Sequence, residues 1–362
     1  MIADRRLSAT RLKLAQRHSS AIVVTSVSNV SYLTGFENVF DSEANVALLI
    51  TSDIACVYTD FRYAEAAEAA AVGTPWIVCV PKESLYIELC AYAAERGIDE
   101  VALESSVPYG RFRFVSEQFQ GRVEVVDAWI EEIRQVKEAA EIERISVAAD
   151  LTDRALEHVK GQIVSGAREC DIALAIEVFI RQNGGDAVAF DPIVASGPNS
   201  SRPHAKVSDR QFEVGDFVTV DLGARVSGYC SDLTRTFVIG SASDRQREIY
   251  DAVLAANKAG ILAARAGVRG MDIDRAARDA LGQHGLAEAF GHGLGHGVGI
   301  DVHEMPSVSP RGRDAVHAGS VVTIEPGVYI EGFGGVRIED LVVIEEGGCR
   351  VLSAAPKELI EL

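Results

Sequence analysis

Over the first third of the chain, apolar residues fall in short runs. The runs at 21–25, 46–50, 55–59, 76–80, 101–103 and 123–126 predict strands. Between them, the alanine-rich stretch 64–71 and the stretch 83–95, with Leu85, Leu89 and Tyr92 on one face, predict helices. The alternation implies an α/β layer with a mixed sheet. No strand is followed by Gly-x-Gly-x-x-Gly, so nothing points to a dinucleotide.

From residue 133 the period lengthens. Ile142, Ile145, Ala149, Leu156 and Val159 predict a helix over 138–159. A second helix over 172–180 ends at Asn183-Gly-Gly, a C-cap signal. A strand is expected over 188–194, then a loop 196–204 that ends on His204. Next come alternating β-formers around Ser227-Gly228, which read as a hairpin. Helices over 244–266 and 271–284 and strands over 320–324 and 336–344 follow. Helix, helix, hairpin thus occurs twice, the pattern of an internal duplication. These patterns place a boundary near 126–136, with an α/β domain over 1–130 and a second domain over 131–362.

The chemistry sits on the two hairpins. Centring the first between Val226 and Ser227 puts Asp221 opposite Asp232, with Cβ atoms ~5 Å apart. A turn centred on Gly332 likewise puts Glu325 opposite Glu339. Four converging carboxylates repel one another unless cations sit among them, and two divalent ions would balance the charge. Between the hairpins, glycine fills every second position from 291 to 299. In a strand, that leaves one face bare for another backbone, with His292 and His296 on the other face. They would lie ~13 Å apart, too far to share one ion. His303 follows after a bend.

The 362 residues suffice for two domains. A net charge of −18 argues against nucleic acid and anionic membrane surfaces. No apolar run suits a signal peptide or a membrane helix. Six scattered cysteines without C-x-x-C are expected to be reduced thiols in the cytoplasm. Cys230 lies two residues from Asp232, but the acidic surroundings favour a hard, oxygen-preferring ion over a thiolate site.

These motifs together resemble the pita-bread metallopeptidases, in the proline-specific branch of prolidases and aminopeptidases P. The resemblance rests on Val220-Asp-Leu-Gly with Tyr229-Cys-Ser-Asp-Leu-Thr-Arg-Thr236, His292-Gly-Leu-Gly-His296 with Val302-His-Glu304, Thr323-Ile-Glu-Pro-Gly327 and Val336-Arg-Ile-Glu-Asp340. Asn29-Val-Ser-Tyr-Leu-Thr-Gly-Phe36 and Thr59-Asp-Phe-Arg-Tyr63 extend it to the smaller domain. It implies a creatinase-like N-terminal domain, a pita-bread catalytic domain and a homodimer. It also implies five ligands of a two-metal site. Asp232 and Glu339 would bridge, Asp221 would hold one ion, and His296 and Glu325 the other. His204 and His303 would be cleft histidines, and His292 would line the same cleft. Arg337 would hold the hydrogen-bond network beside Glu339. Arg311 matches an arginine of prolidases that grips a substrate carboxylate.

The expected activity is exopeptidase cleavage of X-Pro bonds in small peptides, by hydroxide shared between two ions. Manganese fits best; cobalt or zinc would also serve. In that scheme His204 or His303 stabilises the oxyanion and Glu325 shuttles the proton. Two rivals stay open: a metal-free C–N hydrolase of the creatinase type, and a non-catalytic binding module on the same scaffold.

Overall fold

The computed structural model describes residues 2–362, which form two compact units, one running to Arg134 and the other from Gln135. The first unit is a six-stranded mixed sheet with helices. Its strands are β1 (Ala21–Val24), β2 (Val46–Thr51), β3 (Ala55–Thr59), β4 (Ile77–Cys79), β5 (Glu100–Glu104) and β6 (Arg122–Val126), in the order β4-β3-β2-β1-β5-β6. β1, β2 and β3 are wholly buried, which their unbroken apolar runs dictate. Its helices are α1 (Ile2–Arg17), α2 (Val27–Thr34), α3 (Phe61–Ala71), α4 (Leu85–Glu95), α5 (Tyr109–Gln118) and α6 (Glu131–Arg134). The sequence pattern missed α1, α2, α5 and the single-turn α6. α2 is short, and Ser26 and Gly35 cap its two ends.

The second unit opens with α7 (Ala139–Lys160) and α8 (Glu169–Gln182). The single strand expected over 188–194 is two, β7 (Ala187–Val188) and β8 (Ile193–Ser196), interrupted around Asp191-Pro192 because proline donates no ladder hydrogen bond. The first acidic hairpin is β9 (Phe217–Leu222), β10 (Ala224–Val226), β11 (Tyr229–Cys230) and β12 (Leu233–Val238). α9 (Asp244–Ala263) and α10 (Gly270–Gln283) follow. Then come β13 (Gly295–Gly297), β14 (Glu304–Val308), β15 (Val321–Ile324), β16 (Gly327–Ile330), β17 (Gly334–Arg337), β18 (Asp340–Glu345), β19 (Gly348–Val351) and β20 (Ile360–Glu361).

Each half of this unit has its own core. α7 and α8 pack Leu151, Ile172 and Ile176 against Val194, Val220 and Phe237. α9 and α10 pack Val253, Ile273 and Leu281 against Val322, Ile324 and Val342. Backbone and threonine contacts join the halves: Glu339 N–H donates to Thr234 O at 3.1 Å, and Thr236 Oγ1 to Arg337 O at 3.0 Å. Arg235, 2% exposed, donates to the carbonyls of Thr234, Glu339, Ala355 and Pro356 and pairs with Asp340. The buried guanidinium thus satisfies the backbone behind Glu339.

The first hairpin's register differs from expectation. Val226 pairs Tyr229 around a two-residue turn, with Ser227 at φ 48° and Gly228 at φ 78°. Both left-handed residues make it a type I′ turn, which matches strand twist. The centre therefore lies one residue further on, and Asp221 faces Thr234 rather than Asp232. Asp232 sits in the break between β11 and β12, so the two aspartates are diagonal neighbours. The second hairpin keeps the expected register. Ile324 pairs Asp340 on one side and Gly327 pairs Arg337 on the other, which leaves Glu325 across from Glu339.

The glycine-rich stretch is extended over a shorter length than its pattern predicts, with a strand only at Gly295–Gly297. Its close-approach logic holds locally: a Cβ at Gly295 would collide with the Thr323 carbonyl, and one at Gly297 with that of Met305.

Candidate metal centre and cleft

Period-two alternation sends Asp221, Asp232, Glu325 and Glu339 to one place, where they line a cavity of about 450 Å³. His204, His292, His296, His303 and Arg337 share the lining, with Phe190, Asp191 and Ile193 on one wall. One ligand atom each from Asp232, His296 and Glu339 lie within 4.8 Å of one another. His296 Nε2 stands 3.4 Å from Glu325 Oε1 and 3.7 Å from Asp232 Oδ2. Its Nδ1 meets the Gly297 carbonyl at 3.1 Å, which fixes the proton on Nδ1 and turns the Nε2 lone pair to the carboxylates.

The threonines do the fine positioning. Thr234 Oγ1 donates to Glu339 Oε2 at 2.7 Å and accepts from Arg337 Nε at 3.0 Å. Thr323 Oγ1 donates to Glu325 Oε1 at 3.3 Å and accepts from His296 N–H at 3.1 Å. Arg337 does not bond Glu339 directly; its Nη2 holds Asp221 Oδ2 at 2.7 Å, and Thr234 relays it to Glu339. Arg337 Nη1 reaches both Tyr329 Oη (2.9 Å) and the Pro203 carbonyl (3.2 Å), which anchors the loop carrying His204. His292 Nε2 meets the same Tyr329 hydroxyl at 2.9 Å.

Tyr329, Thr234 and Thr323 were not singled out from the sequence, though a signal existed. Thr323 lies two residues before Glu325, Tyr329 four after it and Thr234 two after Asp232, each on the carboxylate's own strand face. Arg311 is exposed, its backbone N–H bonds Ser309, and it does not line the cavity. Cys230 is buried away from the cavity, with its thiol on the Ile300 carbonyl.

Burial pushes all four carboxyls up. Asp232 and Glu339 rise well above the usual range because burial is compounded by the other carboxylates. Glu325 is pushed up to about 8 by burial, which Arg337 opposes and the Asp221 charge reinforces. Asp221 also rises, again by burial, although Arg337 opposes the shift. His296 is lowered to about 4, by burial and then by neighbouring His303, so its imidazole is neutral at pH 7. A buried acidic cluster with a neutral imidazole among it is the donor set a hard divalent cation takes. Asp221 Oδ1 is buried with no hydrogen-bond partner among the described residues, and a cation would satisfy it. The residues therefore fit a metal centre.

Comparison with known proteins agrees. Residues 143–346 match the sequence model of Metallopeptidase family M24, and residues 6–136 match the Creatinase/Prolidase N-terminal domain. The chain belongs to the M24 metallopeptidases and has their two-domain, pita-bread architecture. It is 36% identical to an Xaa-Pro dipeptidase of Pyrococcus horikoshii, over 94% of each chain. An Xaa-Pro dipeptidase structure from Bacillus anthracis superposes with a TM-score of 0.94 at 35% identity, covering 99% of this chain and 100% of that one. An X-Pro aminopeptidase structure from Thermotoga maritima gives 0.88 at 34%, covering 98% and 99%. No helix among the described residues is long and apolar enough to cross a membrane.

Proposed function

We infer that this metallopeptidase is an exopeptidase that cleaves the bond before proline in small peptides, with two divalent cations. The observation that carries the reading is the convergence of Asp221, Asp232, His296, Glu325 and Glu339 beside three further histidines in one cavity. The names of its relatives support proline specificity. Asp232 and Glu339 would be shared by both cations, with Asp221 on one side and His296 and Glu325 on the other. Bound there, divalent cations supply a Lewis acid for the scissile carbonyl and activate water near neutral pH. Manganese suits a set of carboxylates with one imidazole.

The chain's own groups do the rest. Arg337 and Thr234 hold Asp221 and Glu339 in place. His204 and His303 face the cavity and donate to the oxyanion as charge develops on the substrate carbonyl. Glu325 carries the proton to the proline nitrogen, which must be protonated before it leaves. His292, fixed by Tyr329, closes one wall. Arg311, exposed and outside the cavity lining, would grip a substrate carboxylate only as the family resemblance implies, by reaching in from outside. The free cysteines suit a cytoplasmic enzyme, and the homodimer is carried over from the family resemblance.

The test is hydrolysis of Ala-Pro and Ala-Pro-Ala by protein stripped of metal and reloaded with manganese. Cleavage of the dipeptide alone defines a dipeptidase, and cleavage of the tripeptide an aminopeptidase. Failure on both, with two ions bound, rejects proline specificity. Failure with no ion bound rejects the metal centre.

A further inference from the structure

The turn that carries His303 is fastened from below by an ion pair outside the metal cluster. Lys137 Nζ lies 2.7 Å from Glu304 Oε1, and the two side chains are 1% and 6% exposed. Lys137 is itself fixed, because its backbone N–H donates to the Gly319 carbonyl at 3.0 Å. The other Glu304 oxygen accepts from Asp301 N–H at 3.4 Å, inside the turn. Gly299 starts the turn, and a Cβ there would stand 2.5 Å from Glu304 Oε1, so glycine makes room for the carboxylate. Two further ties hold the turn's first residues: Cys230 N–H on Gly299 O at 2.7 Å and Arg225 Nη2 on Ile300 O at 3.1 Å. Pairing between β13 and β14 shifts register between His296 and Gly297 and resumes with Gly297 opposite Glu304. The Glu304 side chain adds a second hold at that irregular point, one residue after His303, whose ring centre lies 4.2 Å from that of His296.

A buried ion pair is a poor stabiliser compared with apolar side chains of similar size, yet it fixes register. Here the register it fixes is that of a cleft histidine. We propose that Lys137 and Glu304 are positioning residues that hold His303 against the substrate carbonyl. The inference rests on the X-Pro peptidase reading above. Small displacements of a group that meets the reacting atoms cost rate heavily.

The test is a mutant cycle on Ala-Pro and Ala-Pro-Ala with manganese-loaded enzyme, followed by kcat, KM, manganese affinity by calorimetry and Tm. Lys137→Met with Glu304→Gln removes both charges, so neither is left buried alone. Glu304→Asp keeps the charge and shortens the arm, should the neutral pair not fold. Lys137→Arg is the conservative variant. The neutral pair is expected to lower kcat/KM by roughly tenfold to a hundredfold, with manganese affinity unchanged. Glu304→Asp gives a smaller loss, and Lys137→Arg stays within a few-fold of wild type. Added to His303→Ala, the neutral pair costs nothing more, because the group it positions is gone. Losses that multiply with His303→Ala, or folded pair variants as active as wild type, overturn the inference alone. A wild-type enzyme that cleaves no X-Pro peptide overturns the parent reading as well.

Discussion

The two acidic hairpins descend from one pattern but use it differently. The first closes on two left-handed residues and leaves Asp221 facing Thr234. The second closes on a wider turn and leaves Glu325 facing Glu339. In the first, a hydroxyl separates the acids, and that hydroxyl reaches across to Glu339 in the other half. In the second, the acids confront each other, and threonine hydroxyls meet them: Thr323 on Glu325 and Thr234, from the other half, on Glu339. The halves are therefore complementary rather than equivalent: one supplies spacing and a guanidinium contact, the other concentrated charge.

Removing the shared acids breaks both halves at once. Asp232→Asn or Glu339→Gln should abolish manganese uptake by calorimetry and cut kcat/KM by on the order of a thousandfold. Thr234→Val cuts the tie between the hairpins and leaves all five donors. Manganese affinity should weaken by roughly 10–100-fold, the usual cost of losing a ligand's hydrogen-bond partner.

Acidity probes the charged half. Glu325, with a folded pKa of about 8 against an ordinary 4.5, favours folding while it is protonated. That contribution falls as pH rises from about 4.5 and is spent just above 8, so cation-free protein should lose Tm between about pH 7 and 8, where no histidine titration offsets it. Asp232 and Glu339 shift in the same direction and add to the loss. His292 and His296, lowered to about 4 from an ordinary 6.5, are neutral in the folded protein but partly protonated when unfolded below about pH 7, so they oppose the loss there and contribute little above it. Manganese-loaded protein should show a flatter profile, and its affinity should rise by about tenfold per pH unit for each proton displaced.

The smallest effects separate the two turns. Ser227→Asn, next to Gly228, improves a type I′ turn and should raise stability by about 0.5 kcal/mol. Gly332→Ala places a side chain at φ 77° and should lower it by about 1–2 kcal/mol. Thermal melts of the two variants decide both.

Much of this was legible in the chain. The strands of the first unit follow from apolar runs, and the carboxylates and His296 from motifs on period-two strands. The first register was missed by one turn position, because alternation does not say which residues adopt positive φ. Tyr329 and Thr234 follow the same alternation once a carboxylate is taken as reference. The Lys137–Glu304 pair was not legible, since its partners lie far apart in sequence and share no local pattern.

Arg235 ties the middle of the chain to its last stretch. The groups it joins, like Thr234 and Glu339, lie more than one hundred positions apart. During synthesis Asp221 and Asp232 are therefore made well before the glutamates that crowd them. The costly gathering of negative charge is deferred to a late docking of the two halves. An ion captured then would act as a fastener of assembly as well as a reagent.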